Sequence, residues 1–140
     1  MSEPLNTYVH LRSDDQSVVL DLSDGRLPAI VHWGADLGVL TGADVAALAR
    51  AGVHPIVANI VDEPVRIGLL PEHHTGWVGR PGISGSRGGQ AWSPRFTTTG
   101  LRVDGGAVGA GAEQPSLLTL GVGSLEITAA DPVAGLELVI

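Results

Sequence analysis

Most side chains that could do chemistry lie between residues 71 and 94: Glu72, His73, His74, Trp77, Arg80 and Trp92. Adjacent histidines suggest a metal site, but neighbours in an extended chain point to opposite sides. A metal also needs three or four convergent ligands. The pattern therefore predicts one packed and one solvated histidine, and no metal. Trp77 stands in a glycine-bounded stretch, where an indole can stack on a sugar ring or wedge against another domain. Arg80 precedes Pro81, which stiffens its backbone, and a guanidinium is a good partner for hydroxyl or carboxylate groups. Anchoring the loop is an equal alternative for both residues, since function is often carried on loops held by a rigid scaffold. Trp92 lies beside a strand and is expected to be an anchor. Glu72, His73, Trp77 and Arg80 form the candidate contact set, towards a substrate or a second domain.

Other chemistry fails on spacing. Paired carboxylates run glycosidic chemistry when they converge across a substrate at roughly 5 to 9 Å. Asp62 and Glu63 are chain neighbours on an extended segment and diverge, so a solvated turn before Pro64 is expected. Gly109-Ala110-Gly111 begins like a dinucleotide loop, but Gln114 replaces the third glycine and no helical pattern follows. The stretch 79–89 has no Lys-Ser/Thr pair for a phosphate loop. Ser84 has Ser86 where a nucleophile elbow needs glycine. No catalytic residue and no cofactor are assigned.

The remaining composition describes what must position these residues. A length of 140 residues suits one domain, and 44% apolar residues suffice for a core. With one Phe and one Tyr, aliphatic side chains must fill most of it. Twenty Gly and nine Pro point to a chain broken by turns, the habit of all-β folds. The net charge of −7, with every basic residue an Arg, argues against nucleic acid and anionic membranes as partners. Absence of cysteine excludes disulfides and thiolate metal sites. Met1-Ser2-Glu3-Pro4 has neither a basic run nor an apolar stretch, and no segment approaches the roughly 20 apolar residues of a membrane helix. A soluble, cytoplasmic protein is expected.

Residues 17–22 and 27–33 read as a hairpin of strands around a Ser-Asp-Gly turn, with Trp33 in the core. Residues 44–50 read as a short helix, capped by Asp44 and stopped by Gly52. Further strands are expected at 56–60, 65–70, 95–99, 101–103, 117–122, 124–128 and 136–140. The last two alternate in period two across a turn-rich connection. Residues 104–111 read as a flexible loop. The apolar pattern runs to Ile140, so a domain incomplete at that end is expected, and self-association through its open edges.

Several segments resemble the N-terminal domain of α-galactosidases of glycoside hydrolase family 36, of a bacterial, actinobacterial-like kind. They are Leu20-Asp21-Leu22-Ser23 with Gly25-Arg26-Leu27-Pro28, and His32-Trp33-Gly34-Ala35-Asp36-Leu37-Gly38. Asp62-Glu63-Pro64-Val65, Leu70-Pro71-Glu72-His73, Gly76-Trp77 and Gly79-Arg80-Pro81-Gly82 follow. Trp92-Ser93-Pro94-Arg95-Phe96, then Asp131-Pro132 with Ala134-Gly135-Leu136-Glu137-Leu138, complete an ordered series over nearly the whole chain.

The resemblance implies an all-β fold, a supersandwich-type β-sandwich of mostly antiparallel strands with one short helix and a long Gly/Trp-rich loop. It implies a parent enzyme whose separate (β/α)₈ barrel carries two Asp residues for retaining hydrolysis of terminal α-galactosides, and an oligomer. None of that barrel is in this chain, so the chain alone is expected to be inactive. In tetrameric relatives an acidic residue of this domain reaches a neighbour's active site; here Ala49 stands in that position. An acidic-aromatic-Arg motif of many relatives is represented by Gly79-Arg80-Pro81-Gly82, without the acid. A free-standing carbohydrate-binding module and a pure oligomerisation domain are the alternatives.

Overall fold

The computed structural model of the chain describes residues 7–59, 64–109 and 115–140. Its elements are β1 (Tyr8–Arg12), β2 (Gln16–Asp21), β3 (Ala29–Ala35), α1 (Gly42–Ala51), β4 (Thr97–Val103), β5 (Gly106–Ala107), β6 (Leu117–Leu120), β7 (Leu125–Asp131) and β8 (Leu136–Val139). Among the described residues the strands form two four-stranded sheets, ordered β3-β2-β1-β6 and β5-β4-β7-β8. All pairings are antiparallel except β1 with β6. The chain is an all-β sandwich, with one short α-helix among the described residues.

Alternation along the strands explains the packing. Val9 of β1 and Leu20 of β2 face Leu101 of β4 and Ile127 of β7, with Leu22 completing the inter-sheet core. Burying each such side chain contributes roughly 1.5–3 kcal/mol. The opposite face of the first sheet carries Tyr8 and Val19, which α1 covers with Val45 and Ala46. The inner face of the second sheet extends further, through Phe96 and Ala129. There its cover comes from Leu27 and from Leu70 and Ile83 of the connections.

Helix α1 begins two residues earlier than expected. Thr41 is the N-cap, and Asp44 sits at N3, where its carboxylate accepts from the Thr41 backbone N–H at 2.8 Å. Thr41 Oγ1 in return accepts from Asp44 N–H, a reciprocal capping box. These bonds hold the Asp44 carboxyl below its usual range, the Thr41 hydroxyl being the main cause. Gly42 is needed where it stands: a Cβ there would overlap the Pro115 carbonyl. Gly52 ends the helix as expected.

Other expectations need correction. β1 is not among the strands that the pattern predicts. Residues 56–59 form no strand; Ile56 and Val57 are exposed, and no neighbour pairs with them among the described residues. Residues 65–70 are not a strand either, yet 67–69 run beside the start of β3, with Ile30 N–H donating to Ile67 and Leu69 N–H to Pro28. Trp33 is 69% exposed rather than core. Its register opposite Val18 puts it on the sandwich-facing side, but on an edge strand and at the end of that strand away from Ile30, which packs on the core. Residues 95–99 and 101–103 join into β4, with a bulge between Thr98 and Gly100. The expected loop at 104–111 contains a tight turn at Asp104-Gly105 that leads into β5. Its part beyond residue 109, the motif at Gln114, and Asp62 and Glu63 lie outside the described residues. No helix among the described residues is long and apolar enough to cross a membrane.

Candidate functional site

The loop 71–94 leaves the first sheet beside β3 and returns into β4, so both roots start from fixed backbone. Its first turn is the 3₁₀ segment His73–Thr75, closed by Gly76 at φ 85°, a conformation that favours glycine. Thr75 ties this turn to Glu72 twice, through its N–H and through Oγ1 at 2.7 Å from the Glu72 carbonyl. Gly82 N–H donates to the Pro71 carbonyl at 2.9 Å and closes the first half of the loop into a ring.

Glu72 is 6% exposed, and its side chain turns inward. Oε1 accepts from the buried Phe96 N–H at 2.9 Å. Oε2 lies 3.2 Å from His74 Nε2, an ion-pair distance that misses hydrogen-bond alignment. Beside it Asp131, 5% exposed, accepts from Arg95 N–H at 2.7 Å and from Val133 and Ala134 N–H at 2.9 and 3.0 Å. Those backbone donors, Arg95 first, hold the Asp131 carboxyl below its usual range. Two carboxylates thus grip consecutive backbone amides, Arg95 and Phe96, where the loop re-enters the sheet.

Trp77 is half-buried; its indole N–H donates to the Arg80 carbonyl at 3.1 Å. A Cβ on Gly79 would sit 2.8 Å from the indole, so ring and backbone are in close contact. His73 Nδ1 lies 3.2 Å from the Trp77 carbonyl, which can only accept, so Nδ1 carries the proton. The Arg80 and His73 side chains are exposed. Trp92 is 65% exposed, with its ring centroid 6.3 Å from that of His73 and the planes tilted by 53°. Of the two roles open to Trp77 the geometry shows the brace, while Trp92, expected as an anchor, faces solvent. The fate of the histidines follows the expectation, with His73 solvated and His74 packed, but by a 3₁₀ turn rather than an extended chain.

Further along, Arg87 to Gln90 close a two-residue turn, and Arg87 Nη2 donates to the Gly135 carbonyl at 3.2 Å. A groove of about 230 Å³ lies between Ile83, Ser86, Arg87, Pro94, Ala134 and Leu136. Among the described residues no group of three or more His, Asp or Glu converges as a metal site. Sequence reasoning missed the latch of Glu72 and Asp131. Asp131-Pro132 signalled a turn, but not a partner thirty-six residues upstream at Arg95.

Comparison with known proteins agrees with this architecture. No curated protein and no solved structure matches the chain. The family model described as the glycosyl hydrolase family 36 N-terminal domain matches residues 26–140, which covers β3 to β8 and the whole loop 71–94. Most of the chain being matched, it belongs to the family of glycosyl hydrolase family 36 N-terminal domains.

Proposed function

We propose that this chain is the non-catalytic N-terminal domain of a cytoplasmic, oligomeric bacterial α-galactosidase. A separate (β/α)₈ barrel of the parent protein would cleave terminal α-galactosides with retention, which takes two carboxylates roughly 5 Å apart. The domain packs on that barrel through the loop 71–94 and lines its active site. Arg80 and His73 supply the outward contacts, Trp77 braces them, and Glu72 holds the loop root.

The observation that carries this proposal is a long loop held rigidly at its root by buried carboxylates while its exposed residues are polar and aromatic. Such a loop on a firm scaffold suits contact rather than folding. The test compares hydrolysis of an aryl α-galactoside by the full-length parent and by this chain. Activity in the parent alone supports the proposal, and activity in the 140-residue chain overturns it. Arg80→Ala in the parent separates the roles further. Lost activity with intact assembly, measured by light scattering, supports a lining surface, whereas lost assembly supports an oligomerisation domain.

One observation favours a second proposal, a free-standing carbohydrate-binding module: the exposed Trp92 ring beside His73. A solvent-facing indole is a stacking platform for a sugar. Quenching of tryptophan fluorescence by a free galactoside, abolished in Trp92→Ala, would favour that alternative.

A further inference from the structure

A second polar cluster lies on the far side of the molecule, under α1. His10 in β1 is fully buried, and its Nε2 is 2.9 Å from Ser17 Oγ in β2. Ser17 Oγ is also 2.7 Å from Asp36 Oδ1 and 3.1 Å from the Leu37 backbone N. Arg12 grips the same Asp36 with two bonds, Nε at 2.9 Å and Nη2 at 2.6 Å. Residues 36 and 37 begin the connection that leads to the Thr41 cap and α1.

The protons in this cluster can be assigned by counting. A serine hydroxyl has one proton to give and lone pairs to receive. The Leu37 N–H can only donate, so it uses a lone pair of Ser17 Oγ. The Asp36 carboxylate, kept ionised by Arg12 and then by Ser17, can only accept, so it takes the hydroxyl proton. His10 Nε2 must therefore donate to the remaining lone pair. The ring is the Nε2–H tautomer, and Nδ1 is a bare lone pair, buried with no hydrogen-bond partner.

We propose that the His10–Ser17–Asp36–Arg12 cluster is an acid-released clasp. Neutral His10 pins the 36–37 connection through Ser17, and a proton on Nδ1 frees that connection and the helix that follows it. A protonated Nδ1 would place an N–H and a positive charge in a buried site with no acceptor, which is costly. The charged and titratable groups around it do not offset this. Arg12, two residues along the same face of β1, repels it, as does His32, which lies in the same row of β3 across Val19. Asp36 attracts it, but already carries two bonds from Arg12. Tyr8 on that face is neutral at these pH values, its ionisation pushed up by burial. Thr119, opposite His10 in β6, carries no charge. From α1, Val45 and Ala46 pack on this face, while Asp44 and Arg50 are exposed. Burial first, then Arg12, holds the His10 ring below its ordinary 6.5.

The sign follows. In the opened state His10 regains its ordinary affinity for protons, so opening takes up a proton as the pH falls below 6.5. The opening constant then rises about tenfold per pH unit until the pH reaches the closed-state value.

The test is amide hydrogen exchange of the whole chain between pH 8 and 5, corrected for intrinsic exchange. Protection of Leu37 and of the α1 amides is expected to drop about tenfold per unit below pH 6.5, while Ile127 in β7 stays protected. His10→Gln, whose side-chain amide can donate to Ser17 but cannot titrate, should abolish the pH dependence. Should that variant not fold, the imidazole nitrogen spectrum of the wild-type chain decides. A protonated Nε2 and bare Nδ1 at pH 7, titrating below 6.5, support the clasp; the opposite tautomer or a titration at or above 6.5 overturns it. Equal loss of protection in the helix and in β7 also overturns it.

Discussion

Asp131 in the second sheet is met by three backbone N–H groups, those of Arg95, Val133 and Ala134. Asp36, beyond the first sheet, is met chiefly by the side chains of Arg12 and Ser17. Both carboxylates pin the end of a connection, and both are held ionised by their donors. The donors differ in what can change them. Backbone amides neither titrate nor vanish on substitution, so the latch at Asp131 is fixed wherever that one carboxylate is present. The cluster at Asp36 spreads its bonds over four side chains, one of them a buried histidine. The latch holds the exposed loop still, while the clasp gives way in acid.

The largest break in this comparison should come from Asp131→Ala, which strands a buried Ala134 N–H and two part-buried ones. With about 1–3 kcal/mol for each buried donor left unsatisfied, partly relieved by water, a loss of about 3 kcal/mol is expected in urea unfolding. The pH response sharpens the contrast. The depressed Asp131 carboxyl contributes stability that is present above its ordinary value of 3.8 and is lost as the pH falls through the folded value below that. At pH 5 the latch should therefore keep its protection while the α1 amides have lost part of theirs. Amides of β4 and β7 exchanging at pH 5 as fast as those of α1 would remove the distinction.

Glu72 tests whether the latch needs its charge. Glu72→Ala leaves the buried Phe96 N–H without an acceptor and is expected to cost about 2 kcal/mol. Glu72→Gln keeps an acceptor for the Phe96 N–H and loses only the carboxylate charge beside His74, so about 1 kcal/mol is expected. Equal losses in the two variants would assign the whole effect to His74. On the other sheet Ser17→Ala should cost about 1.5 kcal/mol. Leu37 is exposed enough for water to reach its freed N–H, and Arg12 still holds Asp36. A loss as large as that of Asp131→Ala would show the two pins to be alike.

What could be read from the chain divides along the same line. The alternation of Leu125 and Ile127 with that of Leu136, Leu138 and Ile140 shows the β7–β8 pair because period two is a local property. The same alternation exists in Val9 and Leu11, but the other face of β1 carries Tyr8, His10 and Arg12. Those residues look like a solvated edge until α1 and Asp36 are laid over them. Residues 56–59 failed in the opposite way: an apolar run has strand chemistry, yet nothing pairs with it among the described residues. Both polar clusters were illegible because each depends on register. His10, Ser17 and Asp36 meet only once three strands are paired, and Arg95 meets Asp131 across β4 and β7. The loop 71–94 was visible as a composition shift, whereas the direction of each side chain in it was not.

The smallest expected effect lies at the loop's exposed tryptophan, and it bears on what the latch is for. The Trp92 ring is tilted against His73 at 6.3 Å and keeps 65% of its surface in water, so Trp92→Ala should change the stability of this chain by no more than about 0.5 kcal/mol. Trp77→Ala removes a half-buried ring and its bond to the Arg80 carbonyl, and about 1 kcal/mol is expected. A large exposed indole that contributes little to folding, on a loop held at its root by two buried carboxylates, is free to meet a partner. If Trp92→Ala destabilises the isolated chain more than Trp77→Ala does, the ring is an anchor, and the contact surface is left to Arg80 and His73. If the order is as expected, the same substitution in the parent protein should lower activity or assembly without lowering the melting temperature of the domain.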